Sequence, residues 1–353
     1  MQIQILPANA AAITQVVKDL RAGQPVAIPT ETVYGLAADA MNPDAIRKIF
    51  SLKGRPNNHP VIVHIAPPGK IKSELSHVAW SQLLSHWARD VPVQALQLAQ
   101  AFWPGPLTMI LPKAKDVLDE LTGGQETVGL RCPSHPVALQ ILEQFGGGLA
   151  APSANRFGCV SPTCATHVEE EFSPVNIANL FLPALQVIDG GACEVGIEST
   201  IVDLSRIDTL GPVILRPGVI TAKQISDLLG LPMGTHMSGE LRHSGGLAAH
   251  YAPKTKLRIL AEGELLRPPR TTEKFIFITY LDESEIMALS LPQTIDVLRI
   301  PKDALAISKV LYAVLRDLDK QSYTQMIVQA LPLGQNWDGV RDRLERAATG
   351  SGI

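Results

Sequence analysis

The sequence has few cysteines and few aromatic residues, and it has no apolar run long enough to span a membrane. Its 353 residues include only four cysteines, and none of them forms a C-x-x-C pair. This pattern argues against a disulfide framework or a cysteine zinc site and is typical of reduced cytosolic thiols. The first residues, 1–6, lack the basic and apolar segments of a signal peptide, so we expect a cytoplasmic protein.

The sequence also lacks an excess of charge and a phosphate-binding loop. A net charge of −3 and a pI near 6.3 exclude the overall basic surface of a general nucleic-acid-binding protein. No G-x-x-x-x-G-K-[ST] motif is present, so any nucleotide must be bound in another way. Residues 146–151 superficially match a dinucleotide fingerprint, but they follow a helix and precede a strand, so we interpret them as a helix C-cap.

The length and the 46% hydrophobic content predict two globular domains with substantial cores. We expect an α/β domain over residues 1–230, a linker over 231–254 that is rich in Gly, Ser, Met and His, and a smaller α/β domain over 255–353. For the second domain the pattern predicts strands at 256–260, 274–280, 295–298 and 326–328, a helix at 302–319, and a last helix capped by Asn336.

The segment from Lys53 to His64 joins a helix to a strand and places two cations on the turn between them. Helical spacing over 43–50 ends at Gly54, and β-branched residues over 61–63 predict a buried strand. Lys53 and Arg55 are therefore held on a short turn, where an ammonium and a planar guanidinium suit a polyphosphate. The alternative is a solvated basic helix end that interacts with the helix dipole.

Hydroxyl side chains and further arginines follow other predicted strands. Residues 30–32, Thr-Glu-Thr, come directly after a strand, where open α/β sheets bind ligands; a plain turn is the alternative. Arg131 and Arg216 each stand at the end of a predicted strand. The segment 151–163 combines small hydroxyl residues, an amide and glycine, which indicates a loop able to cradle an anion.

These motifs occur in an order that resembles the Sua5/YciO/YrdC family, and the resemblance extends over nearly the whole chain. The segments that carry it are 29–36, 53–56, 103–108, 152–155, 161–163, 196–200, 215–218 and the linker motif His250-Tyr251-Ala252-Pro253. The linker motif and the second domain resemble the longer Sua5 branch. The resemblance implies an α/β fold with an N-terminal YrdC-like twisted open sheet and flanking helices. A smaller, Rossmann-like C-terminal domain would be joined to it by the long linker.

The resemblance implies an L-threonylcarbamoyladenylate synthase, a nucleotidyltransferase. Such an enzyme converts L-threonine, bicarbonate and ATP into threonylcarbamoyl-AMP and pyrophosphate. A separate transferase complex then uses the product to modify adenosine 37 of ANN-decoding tRNAs; whether this chain contacts tRNA directly stays open. Mg²⁺ is expected with ATP, held mainly by phosphates and water, with no organic cofactor and no metal site on the protein.

Position by position, the resemblance implies two sets of site residues. The L-threonine set is Thr32, His64, Arg131, Ala151 and Ser199. The ATP set is Lys53, Arg55, His59, Thr127, Ser153, Asn155, Ser161, Arg216 and Tyr251. Within these sets Lys53, Arg55 and Tyr251 are the candidates for a catalytic role, because positioning and cationic clamping supply most of the catalysis in phosphoryl chemistry. By its residue type alone, His64 would more often be a core or loop histidine.

Two positions depart from the family pattern, and both concern the predicted site. His59 stands where part of the family has Asn, and Ser244-Gly245-Gly246 stands where Ser-Pro-Gly is expected. Loss of the proline frees the linker backbone. We expect the linker to fold as a lid over the pocket and Tyr251 to cover the intermediate; a passive tether is the alternative.

Two functions of other classes compete with the synthase. The first is a non-catalytic RNA-binding or ribosome-assembly protein of the same fold, against which the acidic pI argues. The second is a carbamoyltransferase module of the hydrogenase-maturation type. Such modules carry an acylphosphatase segment and paired C-x-x-C zinc motifs, which this sequence lacks.

Overall fold

A ten-stranded mixed sheet organises the first of two units in the computed structural model. The structure describes residues 2–69, 76–173, 184–235, 241–261, 263–264, 266, 270, 272–289, 291–292 and 294–352. The first unit comprises residues 1–157 and 162–246, and the second comprises 158–161 and 247–353. Residues 236–240 of the predicted linker lie outside the described residues. The predicted boundaries at residues 230 and 254 stay a prediction.

The strands of the first unit are short and mostly buried. They are β1 (Ile3–Pro7), β2 (Val26–Ile28), β3 (Gly35–Asp39), β4 (Ile62–His64), β5 (Leu107–Pro112), β6 (Thr127–Arg131), β7 (Leu149–Ala150), β8 (Leu185–Asp189), β9 (Thr200–Asp203) and β10 (Val213–Arg216). Their order across the sheet is β1-β8-β2-β3-β7-β4-β6-β5-β9-β10. Parallel and antiparallel pairs both occur, as in β4 with β6 and in β5 with β6.

Nine helices of the first unit connect these strands within the described residues. They are α1 (Ala10–Arg21), α2 (Pro43–Lys53), α3 (His77–Leu84), α4 (Val93–Phe102), α5 (Asp119–Thr122), α6 (Pro136–Phe145), α7 (Ala165–Phe172), α8 (Ile207–Leu210) and α9 (Ala222–Leu229). Local sequence sets the bounds of α2, because Asn42 caps its first turn and Gly54 ends it in a left-handed conformation. Gly146 ends α6 in the same way, which confirms the C-cap interpretation of that glycine run.

Helices cover both faces of this sheet. Successive side chains of β2 point to opposite faces of the sheet. Ala27 packs in one apolar cluster, and Val26 and Ile28 pack in another. The first cluster includes residues of α2 and α4, and the second includes residues of α1 and α6. Three tryptophans of this unit, Trp80, Trp87 and Trp103, are buried.

The second unit contains a four-stranded parallel sheet. Its elements are β11 (Lys256–Leu260), β12 (Phe275–Thr279), α10 (Glu283–Ala288), β13 (Ile295–Arg299), α11 (Ala304–Asp319), β14 (Gln325–Gln329), a 3₁₀ turn (Gln335–Trp337) and α12 (Asp338–Gly350). The strand order is β11-β14-β12-β13, and every pair is parallel, as in doubly wound α/β folds. The predicted α/β class of both units is therefore confirmed.

One detail of the second unit differs from the prediction. Asn336 does not cap the last helix, because it lies inside the 3₁₀ turn and Trp337 is the residue that precedes α12. The 3₁₀ turn shifts the helix start by one residue, a change that side-chain preferences alone do not reveal. Among the described residues, every helix is too short or too polar to cross a bilayer.

Candidate active site

Five side chains cross one face of the first unit's sheet in a row. Residues that stand opposite each other in paired strands point to the same face. His64 stands opposite Arg131, Thr108 stands opposite Ile201, and Ile201 stands opposite Arg216 across an irregularity in the β9–β10 register. Thr108 and Arg131 come directly next to the pair Met109–Leu130 of β5 and β6, so the row is continuous. Three of these, His64, Arg131 and Arg216, are predicted site residues from three distant parts of the chain.

Arg131 is the centre of a buried polar cluster formed with the loop after β2. Its Nη2 lies 2.6 Å from Glu31 Oε1, and its Nη1 donates to Thr32 Oγ1 at 2.8 Å. Its Nε donates to the carbonyl oxygen of Gly105 at 3.4 Å. The other carboxylate oxygen of Glu31 accepts the backbone N–H of Ser134 at 3.1 Å. Since Arg131 and Glu31 are both buried, the ion pair compensates a charge that water does not reach.

His64 lies beside Arg131 and is neutral in this environment. Burial, and then the positive charge of Arg131, lower the pKa of His64 to about 3, although a backbone hydrogen bond with Ile62 acts in the opposite direction. The ring atom Nδ1 is buried and has no hydrogen-bond partner among the described residues. An uncharged imidazole with an unused nitrogen next to a guanidinium suits a polar ligand, so the site reading is favoured over that of a satisfied core histidine.

Lys53 and Arg55 are both buried, which is contrary to the alternative of a solvated helix end. Lys53 Nζ donates to the carbonyl oxygens of Ser153 and Asn155, each at 2.5 Å. Arg55 Nη2 donates to the carbonyl oxygen of Pro60 at 2.7 Å. Carbonyl oxygens accept the N–H donors without removing the positive charge, so these contacts fix two cations and keep their attraction for an anion.

The aromatic ring of Phe157 contacts side chains of this cationic turn. The guanidinium carbon of Arg55 lies 5.8 Å from the ring centre of Phe157, and the His59 ring meets the same ring edge to face at 5.3 Å. Burial, followed by the charges of Arg55 and Arg242, lowers the pKa of His59. A neutral His59 has both an N–H donor and an acceptor, as the Asn found in part of the family also does.

Arg216 joins the start of β9 to the linker. Its Nε and Nη2 donate to the carbonyl oxygen of Ser199 at 3.0 and 2.9 Å, and Nη2 also lies 3.1 Å from Ser199 Oγ. Its Nη1 donates to the carbonyl oxygen of Ser244 at 3.1 Å. Ser199 belongs to the predicted L-threonine set and Arg216 to the predicted ATP set, so members of the two sets are in direct contact. Ser199 Oγ is also 2.8 Å from Thr108 Oγ1.

Linker residues 241–246 belong to the first unit and pack against its sheet and loops. Two hydrogen bonds join Gln125 to the backbone of Arg242. The Arg242 N–H donates to Gln125 Oε1 at 2.8 Å, and Gln125 Nε2 donates to the Arg242 carbonyl oxygen at 2.9 Å. The Arg242 side chain also donates to the carbonyl oxygen of Gly123 at 2.7 Å. Leu241 contacts an apolar cluster on the sheet, formed by Ile62, Ile110, Ile201, Val213 and Leu215. This segment therefore has a defined position over strands that carry the candidate site.

The absence of a proline in this segment has a conformational reason. Gly245 has a φ of 73°, whereas proline is restricted to a φ near −65°. A proline is therefore incompatible with the observed backbone. The glycine found here in place of the expected proline provides a left-handed turn next to the Ser244 carbonyl that Arg216 holds.

The remaining predicted residues are placed as follows. Ala151 is buried, and its backbone N–H donates to the carbonyl oxygen of Ile62 at 3.0 Å. Thr127 is the first residue of β6 and is half-buried. Ser161 and Tyr251 belong to the second unit. The ATP contacts predicted for these two side chains stay predictions.

Within the second unit, Tyr251 is held by its neighbours. Its ring stacks on Tyr312 at 5.8 Å, meets His250 edge to face at 4.1 Å, and lies 5.2 Å from the guanidinium carbon of Arg343. Its φ is 60°, which is unusual for a residue other than glycine. Backbone strain of this kind persists where the surrounding structure holds the residue in place, and it is common at functional sites.

Sequence reasoning omitted from the site list several residues that the structure places there. Glu31 and Thr30 were noticed only as part of a polar strand end, and Thr108 and Gln125 were not singled out. A buried arginine requires a counter-charge, so an acidic residue between two threonines at a strand end was an available signal for Glu31. Nothing in the local sequence of Thr108 or Gln125 indicates their long-range partners.

No cluster of three or more His, Cys, Asp or Glu side chains is positioned to hold a metal ion in the part of the chain that the structure describes. The four cysteines are free thiols. The oxygen donors near Arg131 are threonine hydroxyls and one carboxylate that already pairs with the arginine. Such a donor set fits Mg²⁺ that arrives with a nucleotide better than a resident Mg²⁺.

Two family models match almost the whole chain. The model of the Sua5, YciO and YrdC proteins, which is described as telomere recombination, matches residues 18–218. A second model, described as the C-terminal domain of threonylcarbamoyl-AMP synthase, matches residues 220–349.

Individual relatives agree with these models. The threonylcarbamoyl-AMP synthase of Pyrococcus abyssi is 38% identical over 262 residues, which are 73% of this chain and 70% of the relative. The protein of the same name from Bacillus subtilis is 41% identical over 72% of this chain and 68% of its own length. The structure of P. abyssi Sua5 complexed with L-threonine matches with a TM-score of 0.80 at 30% identity, over 99% of this chain and 98% of that one.

Proposed function

The chain belongs to the Sua5/YciO/YrdC family, and on that premise we propose that it is an L-threonylcarbamoyladenylate synthase. In this proposal L-threonine, bicarbonate and MgATP give threonylcarbamoyl-AMP and pyrophosphate. The observation that carries the proposal is the row of buried side chains across the sheet, in which His64 and Arg131 lie at one end and Arg216 lies at the other. Such a row offers separate places for an amino-acid carboxylate and for phosphate groups.

Arg131 is the proposed partner of the threonine carboxylate. Its hydrogen bonds with Thr32 and Gly105 use two of the five N–H donors of the guanidinium, and its Nη2 meets Glu31 as an ion pair. At least one N–H on each terminal nitrogen is therefore left for a ligand. Two parallel N–H groups are the geometry that a carboxylate accepts in bidentate fashion.

Lys53, Arg55 and Arg216 are the proposed partners of the ATP phosphates. Backbone carbonyl oxygens hold all three in place, which reduces the entropy lost when a nucleotide binds. Positive charge at the phosphates stabilises pyrophosphate as it leaves, in the same way as in other phosphoryl and nucleotidyl transfers. Mg²⁺ belongs to the substrate here, and it neutralises charge between the phosphates.

His64 and the segment 241–246 complete the proposed site. With its pKa lowered by burial and by Arg131, His64 adds no positive charge near the threonine amine. That amine must lose a proton before its nitrogen bonds to the carbon of bicarbonate with loss of water, and the neutral imidazole offers a nitrogen that can accept a hydrogen bond from the amine. The packed segment 241–246 reduces water access at the same strands, which protects a carbamoyl adenylate from hydrolysis.

The decisive experiment measures pyrophosphate release with all three substrates and with each one omitted in turn. We expect release to require L-threonine, bicarbonate and ATP together, and the nucleotide product to be an adenylate of threonylcarbamate. Equal release without threonine would contradict the proposal. The role of the product in modifying adenosine 37 of tRNA is tested separately, by supplying the reaction mixture to the purified transferase complex with an ANN-decoding tRNA.

A further inference from the structure

Two cysteines that are distant in the sequence lie next to each other in the first unit. The backbone N–H of Cys193 donates to the carbonyl oxygen of Thr163 at 2.9 Å, and Cys164 is the next residue along the chain. Because that carbonyl belongs to the peptide group that joins Thr163 to Cys164, covalent geometry holds the Cα atoms of the two cysteines within about 7 Å. Disulfides usually bridge Cα atoms that are about 4.4–6.8 Å apart. The backbone therefore places the two thiols within reach of a disulfide.

The two thiol groups also influence each other and a shared neighbour. Burial, followed by the charges of Glu31 and Cys164, raises the pKa of the Cys193 thiol. Burial also raises the pKa of Tyr34, and the charges of Cys193 and Cys164 both contribute to that rise. Because the interaction between two charges weakens with distance, both sulfurs lie in the region of the Tyr34 hydroxyl.

The two thiols differ in their access to solvent. Cys193 is 2% exposed, whereas Cys164 is half-buried and is the residue that precedes α7. Cys164 Sγ lies 3.1 Å from Thr166 Oγ1 in an exposed contact. Oxidation of a thiol requires that the oxidant reach the sulfur. An oxidant in solution therefore reaches Cys164 first, and Cys193 is the protected thiol beside it.

We propose that Cys164 and Cys193 are a redox-modification site, at which a peroxide or a small-molecule disulfide converts the two thiols into an intramolecular disulfide. A peroxide transfers one oxygen to Cys164 as its O–O bond breaks and water leaves, which gives a sulfenic acid. The Cys193 sulfur then bonds to the Cys164 sulfur, the S–O bond breaks, and the oxygen leaves as water with the Cys193 proton. The two thiols lose two electrons, and the peroxide gains them. A small-molecule disulfide gives the same product by two exchange steps and leaves as two thiols.

The new bond would join two segments that Tyr34 already connects. The Tyr34 backbone N–H donates to the carbonyl oxygen of Pro162 at 2.9 Å, and its hydroxyl donates to the carbonyl oxygen of Gly191 at 2.8 Å. Each of these carbonyls lies two residues before one of the cysteines, Cys164 and Cys193 respectively. Oxidation would therefore restrain the loop after β2 from both sides. The modification itself does not depend on the proposed function.

Digestion with a glutamate-specific protease detects the bond directly. Residues 169–171 are all glutamate, so cleavage there separates Cys164 from Cys193 and a disulfide leaves two peptides linked. The protein is incubated with hydrogen peroxide or with glutathione disulfide, alkylated, digested and analysed by mass spectrometry. We expect the linked peptides to form and to separate with dithiothreitol. We also expect at least about 10-fold less linkage when urea unfolds the protein before oxidation, because folding raises the effective concentration of the two thiols.

Three variants identify the cysteines involved. Cys164→Ser and Cys193→Ala are each expected to abolish the linked peptides. Cys159→Ser is the matched control, because it removes the other cysteine on the same side of the cleavage sites and should leave the linkage intact. If Cys193→Ala does not fold, Cys164→Ser at its half-buried position provides the same comparison.

The restraint is measured by amide hydrogen exchange. We expect exchange of the Tyr34 amide to slow on oxidation of the unmodified protein and to stay constant in Cys164→Ser, because the bond opposes local opening. Three outcomes would overturn the proposal. The first is the absence of linked peptides in the oxidised, folded protein, and the second is undiminished linkage in Cys164→Ser. The third, unchanged exchange at Tyr34, would show that the bond does not act on the loop after β2.

Discussion

The carboxylate of Glu31 and the guanidinium of Arg131 form an ion pair of 2.6 Å in which each side chain is 5% exposed. The two residues are a hundred positions apart in the sequence, and their contact holds the loop after β2 against the end of β6. A buried pair of this kind costs desolvation energy when it forms, and loss of one partner leaves an uncompensated charge. The pair therefore links the stability of the first unit to the geometry of its proposed threonine site.

Glu31→Gln is expected to destabilise the protein strongly. Removing one partner of a buried ion pair costs about 3–5 kcal/mol, because Arg131 then remains charged without compensation. Urea unfolding at neutral pH would measure the change. Asp44→Asn is the matched control, since Asp44 pairs with Arg47 at 2.5 Å but is 81% exposed, and loss of such a pair costs about 1 kcal/mol or less. Similar changes for the two variants would contradict the prediction.

Arg55→Ala is expected to weaken the use of ATP by roughly 10- to 150-fold. The estimate corresponds to the loss of one charge-assisted hydrogen bond of about 1.5–3 kcal/mol. Steady-state kinetics with ATP varied would measure it. Arg47→Ala on α2 is the control, because Arg47 is 55% exposed and pairs with Asp44 and Glu120 at the surface. An unchanged KM for ATP in Arg55→Ala would assign this arginine a purely structural role.

His64 is expected to make the folded protein acid-sensitive. Its pKa is about 3 in the folded state, lowered by burial and then by Arg131, against 6.5 for an ordinary histidine. Between these two pKa values, His64 is protonated in the unfolded chain and neutral in the folded chain. The contribution of neutral His64 to the free energy of unfolding is complete above pH 6.5. It is lost as the pH falls toward 3, by up to about 1.4 kcal/mol per pH unit.

The measurement is the free energy of unfolding of the unmodified protein and of His64→Gln between pH 7.5 and about 4.5. We expect the difference in stability between the two proteins to shrink with falling pH. His86→Gln provides the control, because His86 is exposed. A pH slope that is the same in all three proteins would show that His64 takes up its proton in the folded state.

The local sequence predicted elements well where capping and periodicity are strong. Helix α2 ends at Gly54 as expected, and the strand that begins near 61 is buried. The sheet order could not be predicted in this way, because β1 pairs with β8 although Ile3 and its partner Leu185 are 182 positions apart, and neither strand has a distinctive pattern. Long-range pairing depends on the summed packing of many elements, which no local signal encodes.

The same division applies to the candidate site. Lys53 and Arg55 were predicted from a turn between a helix and a strand, and Arg131 and Arg216 from strand ends. Their partners are mostly backbone carbonyl oxygens, as at Pro60 and Ser199, and a carbonyl has no residue-specific signal in a sequence. The left-handed turn at Gly245 could not be predicted either, because a positive φ is a property of the folded backbone.

The attachment of linker residues 241–246 depends on Gln125, and this dependence gives the last prediction. Gln125 exchanges two hydrogen bonds with the backbone of Arg242, so Gln125→Ala removes both while leaving the Arg242 side chain as a trypsin site. Proteases cleave segments that open locally, and the opening free energy falls when such bonds are lost. Two bonds of about 0.5–1.5 kcal/mol each predict cleavage after Arg242 that is on the order of 10-fold faster.

Limited trypsin digestion with mass spectrometry would measure cleavage after Arg242, and Gln82→Ala would serve as a control because Gln82 is exposed on α3. In the proposed function this segment covers the bound substrates, so MgATP with L-threonine is expected to slow cleavage of the unmodified protein. Gln125→Ala should retain only part of that protection, because the contacts of Ser244 with Arg216 and of Leu241 with the sheet remain. Equal cleavage of Gln125→Ala and the unmodified protein would show that Gln125 does not secure the segment. Equal cleavage of the unmodified protein with and without substrates would assign the segment the role of a passive tether.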